Sequence, residues 1–213
     1  MNRSTKRLIP LFSFTGAYLL TATIAAIAKG NSEFVFYLVV MAILVAAITL
    51  IHRIANLSLP LLWCLSIWGL LHMAGGLVPV PESWPISGDK RVLYSWWLIP
   101  GMLKYDQVVH AFGFGVTTWL CWQGMCASFR RVGGTTAPVR PTFGRMVLCA
   151  AAGMGFGAAN EVVEFAATLL MPDTNVGGYQ NTGWDLVSNM IGTIIAATAI
   201  YFFEPSRRES GEN

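Results

Sequence analysis

The chain has 213 residues, of which 54% are hydrophobic and only 12% are charged. Because an average soluble domain is about 25% charged, this composition, with a mean hydropathy of +0.55, excludes an ordinary soluble domain and indicates a polytopic membrane protein. The net charge of +3 is too small to indicate a nucleic-acid partner.

Apolar runs long enough to cross a bilayer, which takes about 20 residues, predict an all-α bundle of six transmembrane helices in a single domain, residues 1–213. In chain order the predicted spans are Leu8–Ala28, Phe34–Ile51, Leu59–Val78, Asp106–Phe129, Met146–Met171 and Trp184–Phe203. The first run follows basic residues, as in a signal peptide. It is longer than the usual ~7–15 apolar residues of such a peptide, so we expect an anchoring helix.

Basic residues outside the predicted spans set their orientation, because cytoplasmic segments carry an excess of Lys and Arg. Four of the 14 fall on one side, at Lys29, Lys90, Arg91 and Lys104. The other ten fall on the opposite side, at Arg3, Lys6, Arg7, Arg53, Arg130, Arg131, Arg140, Arg145, Arg207 and Arg208. We therefore expect both termini and the basic loop 130–145 to be cytoplasmic.

The outer loop 79–105 is rich in Pro and Trp. Its Trp-rich part, Leu93–Pro100, is typical of an interfacial segment lying at the level of the lipid head groups. The second outer loop, residues 172–183, is rich in Pro, Asp, Asn and Gly and predicts a turn.

Three predicted spans carry acidic residues, and no Lys or Arg lies within those spans to neutralise them. Each contributes two polar residues three or four positions apart, which therefore share a helix face: Asp106 with His110, Glu161 with Glu164, and Asp185 with Asn189. A carboxylate at the centre of a helix in lipid costs roughly 2.5–3.5 kcal/mol on insertion scales. Several of them in one chain indicate a function.

The predicted orientation gives these residues a common depth. With His72 of the third span, they fall in one slab roughly 3–15 Å below the outer interface, at 1.5 Å per helical residue. We therefore expect the acidic pairs to converge in one cavity that opens outward. Small residues predict how closely the helices approach there, namely Gly113, Gly115, Gly153, Gly157 and Gly192.

Carboxylates with an imidazole suit a divalent metal ion, whereas the same groups without metal suit proton relay. The predicted metal ligands are Asp106, His110, Glu161, Glu164 and Asp185. Of these, His110, Glu161 and Glu164 are the predicted catalytic residues, and the predicted substrate-binding residues are His72, Asn189 and Trp184. Four cysteines without a C-x-x-C pair argue against thiolate zinc or a disulfide framework.

Structural roles are the alternative for several of these residues. Asp106 and Asp185 could each satisfy the start of a helix, and His72 and Asn189 could each form an interhelical hydrogen bond. Glu161 and Glu164 are the hardest to explain structurally, because two acids one turn apart lie two turns deep in a span.

Three patterns carry a resemblance to a known family: D-x-x-x-H from Asp106 to His110, E-x-x-E from Glu161 to Glu164, and D-x-x-x-N-x-x-G from Asp185 to Gly192. In this order, within residues 60–203, they resemble the YjdF-like bacterial inner-membrane proteins, a family of unknown function. More distantly, the chain is similar to VanZ-type proteins. The resemblance implies a small multi-pass protein of the bacterial inner membrane, and the VanZ-type likeness implies a connection with the cell envelope.

These observations predict a buried site near the outer leaflet, where a divalent metal ion serves in chemistry or binding at a lipid or lipid-linked head group. A metal-dependent hydrolase or transferase is one form of this interpretation, since no nucleophilic Ser or Cys motif is apparent. Two alternatives stay open, a proton- or cation-coupled transporter and a non-catalytic membrane assembly protein. The expected partners are membrane lipids, and the oligomeric state is left open.

Overall fold

The computed structural model describes residues 3–134 and 138–204. In that part of the chain the six predicted helices are present, and the predicted all-helical class is confirmed. They are α1 (Arg3–Ala28), α2 (Ser32–Ala55), α3 (Leu59–Leu77), α4 (Tyr105–Gly133), α5 (Phe143–Leu170) and α6 (Tyr179–Phe203). Arg207 and Arg208, which belong to the predicted cytoplasmic tail, lie outside the described residues.

Five of the six helices, all except α4, are long and apolar enough to cross a membrane. Their outward faces carry large apolar side chains, for example Val39, Ile43 and Leu50 on α2. The exception, α4, has 29 residues and is long enough, but it is more polar. It packs against α2, α3, α5 and α6, and its polar residues Gln107, His110, Thr117 and Thr118 are buried.

Three clusters of buried side chains hold the helices together, and two of them lie at opposite ends of the bundle. The first joins α1, α2, α3 and α5 and consists of Ala22, Ala26, Phe34, Tyr37, Met73, Leu77 and Ala167. The second joins α4, α5 and α6 and consists of Trp122, Cys126, Met146, Cys149, Ala197 and Ile200. Trp122 follows His110 by 12 residues, which is about 18 Å along the helix.

The loop between α3 and α4 is ordered, and it adds a small β-structure to the predicted all-α fold. It contains a short 3-10 helix, Leu93–Ser95, and two antiparallel strands, β1 (Trp97–Ile99) and β2 (Leu103–Lys104). The Trp84 and Trp96 rings stack at 4.2 Å. The position of this loop at the head-group level stays a prediction.

Close helix contacts occur at the predicted glycines. A Cβ on Gly192 of α6 would lie 1.9 Å from the Ala111 carbonyl oxygen of α4, and one on Gly157 of α5 would lie 2.8 Å from Asn189 Nδ2 of α6. Gly113, Gly115 and Gly153 also face a neighbouring helix at short distance. Only a residue without a side chain allows α4, α5 and α6 to approach this closely, and the polar residues lie where they meet.

Candidate functional site

The turn that precedes α4 positions the first polar pair. Gly101 has a φ of +71°, and the Met102 N–H donates to the Ile99 carbonyl at 3.0 Å, as expected of a type II turn with Pro-Gly at its centre. This turn returns the chain along β2 to Lys104, the residue that caps α4. The Lys104 N–H donates to Gln107 Oε1 at 2.9 Å, which fixes the start of the helix and the direction of Asp106 in its first turn.

His110 is the centre of the acidic group. Its Nε2 lies 3.6 Å from Asp106 Oδ1 and 3.8 Å from Glu164 Oε1, and its Nδ1 lies 3.7 Å from Glu161 Oε1. Two overlapping sets of side chains have ligand atoms within 4.8 Å of one another, Asp106 with His110 and Asp185, and His110 with Glu161 and Glu164. The predicted convergence of the five ligand candidates is therefore present.

Three asparagines hold these groups in place. Asn189 Oδ1 lies 3.1 Å from His110 Nδ1 and accepts a hydrogen bond from it. Asn160 Nδ2 donates to Glu164 Oε1 at 2.8 Å. Asn181 Nδ2 donates to Asp185 Oδ2 and, at 3.5 Å, to Asp106 Oδ2. Asn160 and Asn181 each bond to an acid one turn later on the same helix. Asn181 and Asn189 also reach from α6 to α4. These hydrogen bonds fix the positions of the acids and of His110.

A lysine also belongs to the site, although no Lys or Arg lies within the three acidic spans themselves. Lys104 is only 7% exposed; its ammonium donates to Asn181 Oδ1 and lies 3.7 Å from Asp106 Oδ2. The sequence pattern missed it because Lys104 precedes the apolar run, and only the β1–β2 turn brings it back over the helix ends.

The site is nearly closed. Asp185 and Asn189 have no exposed surface, whereas the side chains of Asp106 and Glu164 retain 13% and 14%, so the opening lies on their side. Among the described residues, Glu161 Oε1, Asp185 Oδ1 and Asn189 Nδ2 are buried without a hydrogen-bond partner. Buried polar atoms normally have one; here the two carboxylate oxygens are left able to accept a hydrogen bond or bind a cation, and Asn189 Nδ2 is left able to donate.

Two predicted substrate-binding residues lie apart from the acids. His72 of α3 borders the same small space as His110 and Asn160, and its Nδ1 is bonded to the Tyr94 hydroxyl of the loop. Burial raises the pKa of the Tyr94 phenol well above its ordinary value, so the hydroxyl keeps its proton. Trp184 is 59% exposed and lies on the outside of α6, whereas Asn189, the third of the set, directly contacts His110.

Sequence reasoning overlooked Lys104, Asn160, Asn181 and Tyr94. The asparagines carried a usable signal, because Asn160 precedes Glu164 by four residues and Asn181 precedes Asp185 by four. The polar edges of α5 and α6 are therefore one turn longer than the acidic pairs alone suggest. One structural alternative is wrong: Asp185 is not a first-turn acid, because α6 begins at Tyr179.

The fold and the buried acidic group are those of a polytopic membrane protein. The chain matches a family described as "Predicted membrane protein (DUF2238)" over residues 10–206, and it belongs to that family. No match was found among curated proteins or among solved structures. The predicted resemblance to YjdF-like proteins fits this family, whereas the likeness to VanZ-type proteins stays a prediction.

Proposed function

We propose that the group around His110 binds a divalent metal ion, and that the protein uses it to bind or convert the head group of a lipid or lipid-linked substrate. We further propose that all six helices span the bacterial inner membrane with both termini cytoplasmic. The site would then face the outer leaflet, and the Trp-rich loop would border its entrance from the membrane.

The observation that carries the metal proposal is the orientation of the His110 ring. In a neutral imidazole whose Nδ1–H donates to Asn189 Oδ1, the lone pair is on Nε2. That lone pair would face Asp106 Oδ1 and Glu164 Oε1, both acceptors. Three electron-rich atoms facing one another repel unless a cation or a proton lies among them.

The distances favour a metal ion over a shared proton. Hydrogen bonds between nitrogen and oxygen measure about 2.7–3.2 Å, and the two distances from Nε2 are 3.6 and 3.8 Å. Ligands bound about 2.1 Å from one tetrahedral ion are about 3.4 Å apart. The spacing is therefore too long for a proton bridge and close to that of two ligands of a common ion.

The residues present fit such an ion. His110 with Glu161 and Glu164 gives one nitrogen and two carboxylate donors, a set that suits Zn²⁺, Fe²⁺ or Mn²⁺, and Glu161 Oε1 is buried without another partner. Asn189 on the imidazole and Asn160 on Glu164 are the hydrogen-bonded supports that metal ligands generally have. Asp106 is close enough to Nε2 to act as a further ligand.

The chemistry follows from the same residues. A divalent ion would polarise a substrate oxygen or lower the pKa of a bound water. Glu164 lies at the opening, so it could take a proton from such a water. Glu161, deeper and bordered by His110, would hold its charge inside a largely closed space where electrostatic interactions are strong. Access from the Asp106 side suits a head group that enters from the membrane surface.

The proposal that α4 spans the membrane depends on its position in the bundle. A polar helix is tolerated in lipid when its neighbours cover it, and α4 contacts α3, α5 and α6 along its length. Its buried hydroxyls at Thr117 and Thr118 bond to carbonyls of the preceding turn, so they need no water.

A transporter would need a polar path to the other end of the bundle. In the part of the chain that the structure describes, that end is filled by the cluster around Trp122, Met146 and Ile200. This packing favours a site that opens to one side only. An assembly protein would account for the close helix packing but gives no role to buried acids without partners.

The test is metal content and thermal stability of the purified protein. We expect about one divalent ion per chain, and a chelator should lower Tm, because an ion at 100 times its Kd contributes about 2.7 kcal/mol. In the double variant Glu161→Gln plus Glu164→Gln both the ion and the chelator effect should disappear. Glu82→Gln, on the exposed loop, is the matched control and should behave as wild type. Wild-type protein without metal and without a chelator effect would refute the proposal.

A further inference from the structure

Lys104 is connected to two of the four carboxylates of the site and not to the other two. Among the described residues, it is the one Lys or Arg whose nitrogen lies within 4 Å of any of the four carboxylates. It reaches Asp106 directly and Asp185 through Asn181. Glu161 and Glu164 have no Lys or Arg within that distance among the described residues, and an ion bound there would balance their charge.

The ammonium lies beside a group of possible ligand atoms. Asp106, His110 and Asp185 offer atoms within 4.8 Å of one another, and Asn181 Oδ1 is in contact with the ammonium. Asp185 is fully buried, and its Oδ1 has no hydrogen-bond partner among the described residues. A lysine ammonium has three donors, and among the described residues only one of them has an acceptor at hydrogen-bond distance. Hydrogen-bonding capacity of both the ammonium and Asp185 Oδ1 therefore stays unused at this position.

We propose that the site has two cation positions and that the Lys104 ammonium occupies the second, at Asp106, Asp185 and Asn181 Oδ1. This inference rests on the proposed function for the first position, at His110, Glu161 and Glu164. His110 Nε2 can bind only one ion, so the second position is an all-oxygen one. Oxygen ligands alone suit Mg²⁺ or Mn²⁺.

Formal charge explains why a lysine holds this place. Four carboxylates carry −4; a divalent ion in the first position and the ammonium together supply +3, which leaves −1. Replacement of the ammonium by a second divalent ion would bring the group to zero. Removal of the lysine therefore creates a position that favours a divalent cation, and its presence restricts the wild-type site to one metal.

The experiment counts Mn²⁺ ions per chain after equilibrium dialysis of purified protein. Wild type should bind one ion, Lys104→Met two, and Lys104→Met combined with Asp185→Asn one again. Lys104→Arg keeps the charge and should remain at one. One ion in both wild type and Lys104→Met would overturn the second position and leave the proposed function standing. No ion in wild type but one in Lys104→Met would overturn the proposed function and support the second position, and none in either would overturn both.

Stability gives an independent measurement should Lys104→Met fold poorly. Loss of the lysine leaves Asp106 and Asp185 repelling each other, so Mn²⁺ at 100 times its Kd for the second position should raise the Tm of this variant by about 5–10 °C more than it raises that of wild type. Asp106→Asn in the same background should restore stability without metal. Rescue by Asp106→Asn but not by Mn²⁺ would make Lys104 a mere counter-ion and overturn the second position. Failure of both to rescue would overturn it as well, because charge would not be the defect.

Discussion

The contact between α4 and α6 at Gly192 offers a direct test of how the site is held together. In Gly192→Ala the new Cβ would lie 1.9 Å from the Ala111 carbonyl oxygen and 2.7 Å from its carbonyl carbon. Both atoms belong to the backbone of a helix and cannot rotate away. Since ordinary carbon–oxygen contacts begin at about 3.3 Å, α4 and α6 must separate by about 1.4 Å.

The separation acts on the site one turn away. The His110 to Asn189 hydrogen bond is 3.1 Å long and would leave hydrogen-bond range, a loss of about 1 kcal/mol. Overpacking of a helix contact adds about 1–3 kcal/mol. The sum, about 2–4 kcal/mol, corresponds to a Tm lower by about 4–16 °C for a chain of this size. Metal affinity should also fall, because the ring loses its support.

Gly183→Ala on the same helix is the matched control. A Cβ there would meet nothing within 4 Å, so this change should be neutral or stabilise by about 0.5–1 kcal/mol, the usual effect of replacing glycine in a helix. Thermal unfolding in detergent and metal analysis measure both variants. A Gly192→Ala protein as stable and as metal-rich as Gly183→Ala would refute the account of close packing around the site.

Other predictions concern single side chains of the site. Asn189→Leu should lower metal affinity about 10–100-fold, as the loss of a residue hydrogen-bonded to a metal ligand generally does. Competition with a chelating dye measures this affinity. Tyr94→Phe removes the donor to His72 and should lower stability by about 1 kcal/mol with the metal content unchanged; loss of metal would mean that His72 belongs to the ion's surroundings. Bound metal should decrease as the pH is lowered from about 7 to about 5, because imidazole and carboxylate ligands must be deprotonated to bind, and a metal content constant over that range would argue against these ligands.

Much of the fold follows from local pattern, and so does the convergence of the acids. Helical spacing places Glu161 and Glu164 on one face of α5, and charge asymmetry predicts a direction for the spans that puts the acids at a common depth. Depth together with glycines at the contacts is enough to predict the meeting of α4, α5 and α6. The five spans that the structure supports are the most apolar ones, and α4 departs from them because it is the helix most covered by others.

The remaining features depend on tertiary contacts, which cannot be predicted from the helical periodicity of the sequence. Lys104 lies in a segment that reads as an outer loop, and its contact with Asn181, 77 residues away, appears only in the folded structure. Likewise, His72 has a partner in Tyr94, which is 22 residues away. Trp184 is adjacent to Asp185 in sequence, but a rotation of about 100° per helical residue places it on the exposed side of α6.

X-ray absorption of the protein loaded with Zn²⁺ tests the central claim most directly, because it reports which atoms surround the ion. Zinc binds nitrogen and oxygen at about 2.0–2.2 Å and sulfur at about 2.3 Å, and the chain has four free cysteines that could compete. We predict a shell of nitrogen and oxygen only, with one imidazole that is lost in His110→Gln. Sulfur in the shell, or an imidazole signal that persists in His110→Gln, would contradict a metal site at His110, Glu161 and Glu164.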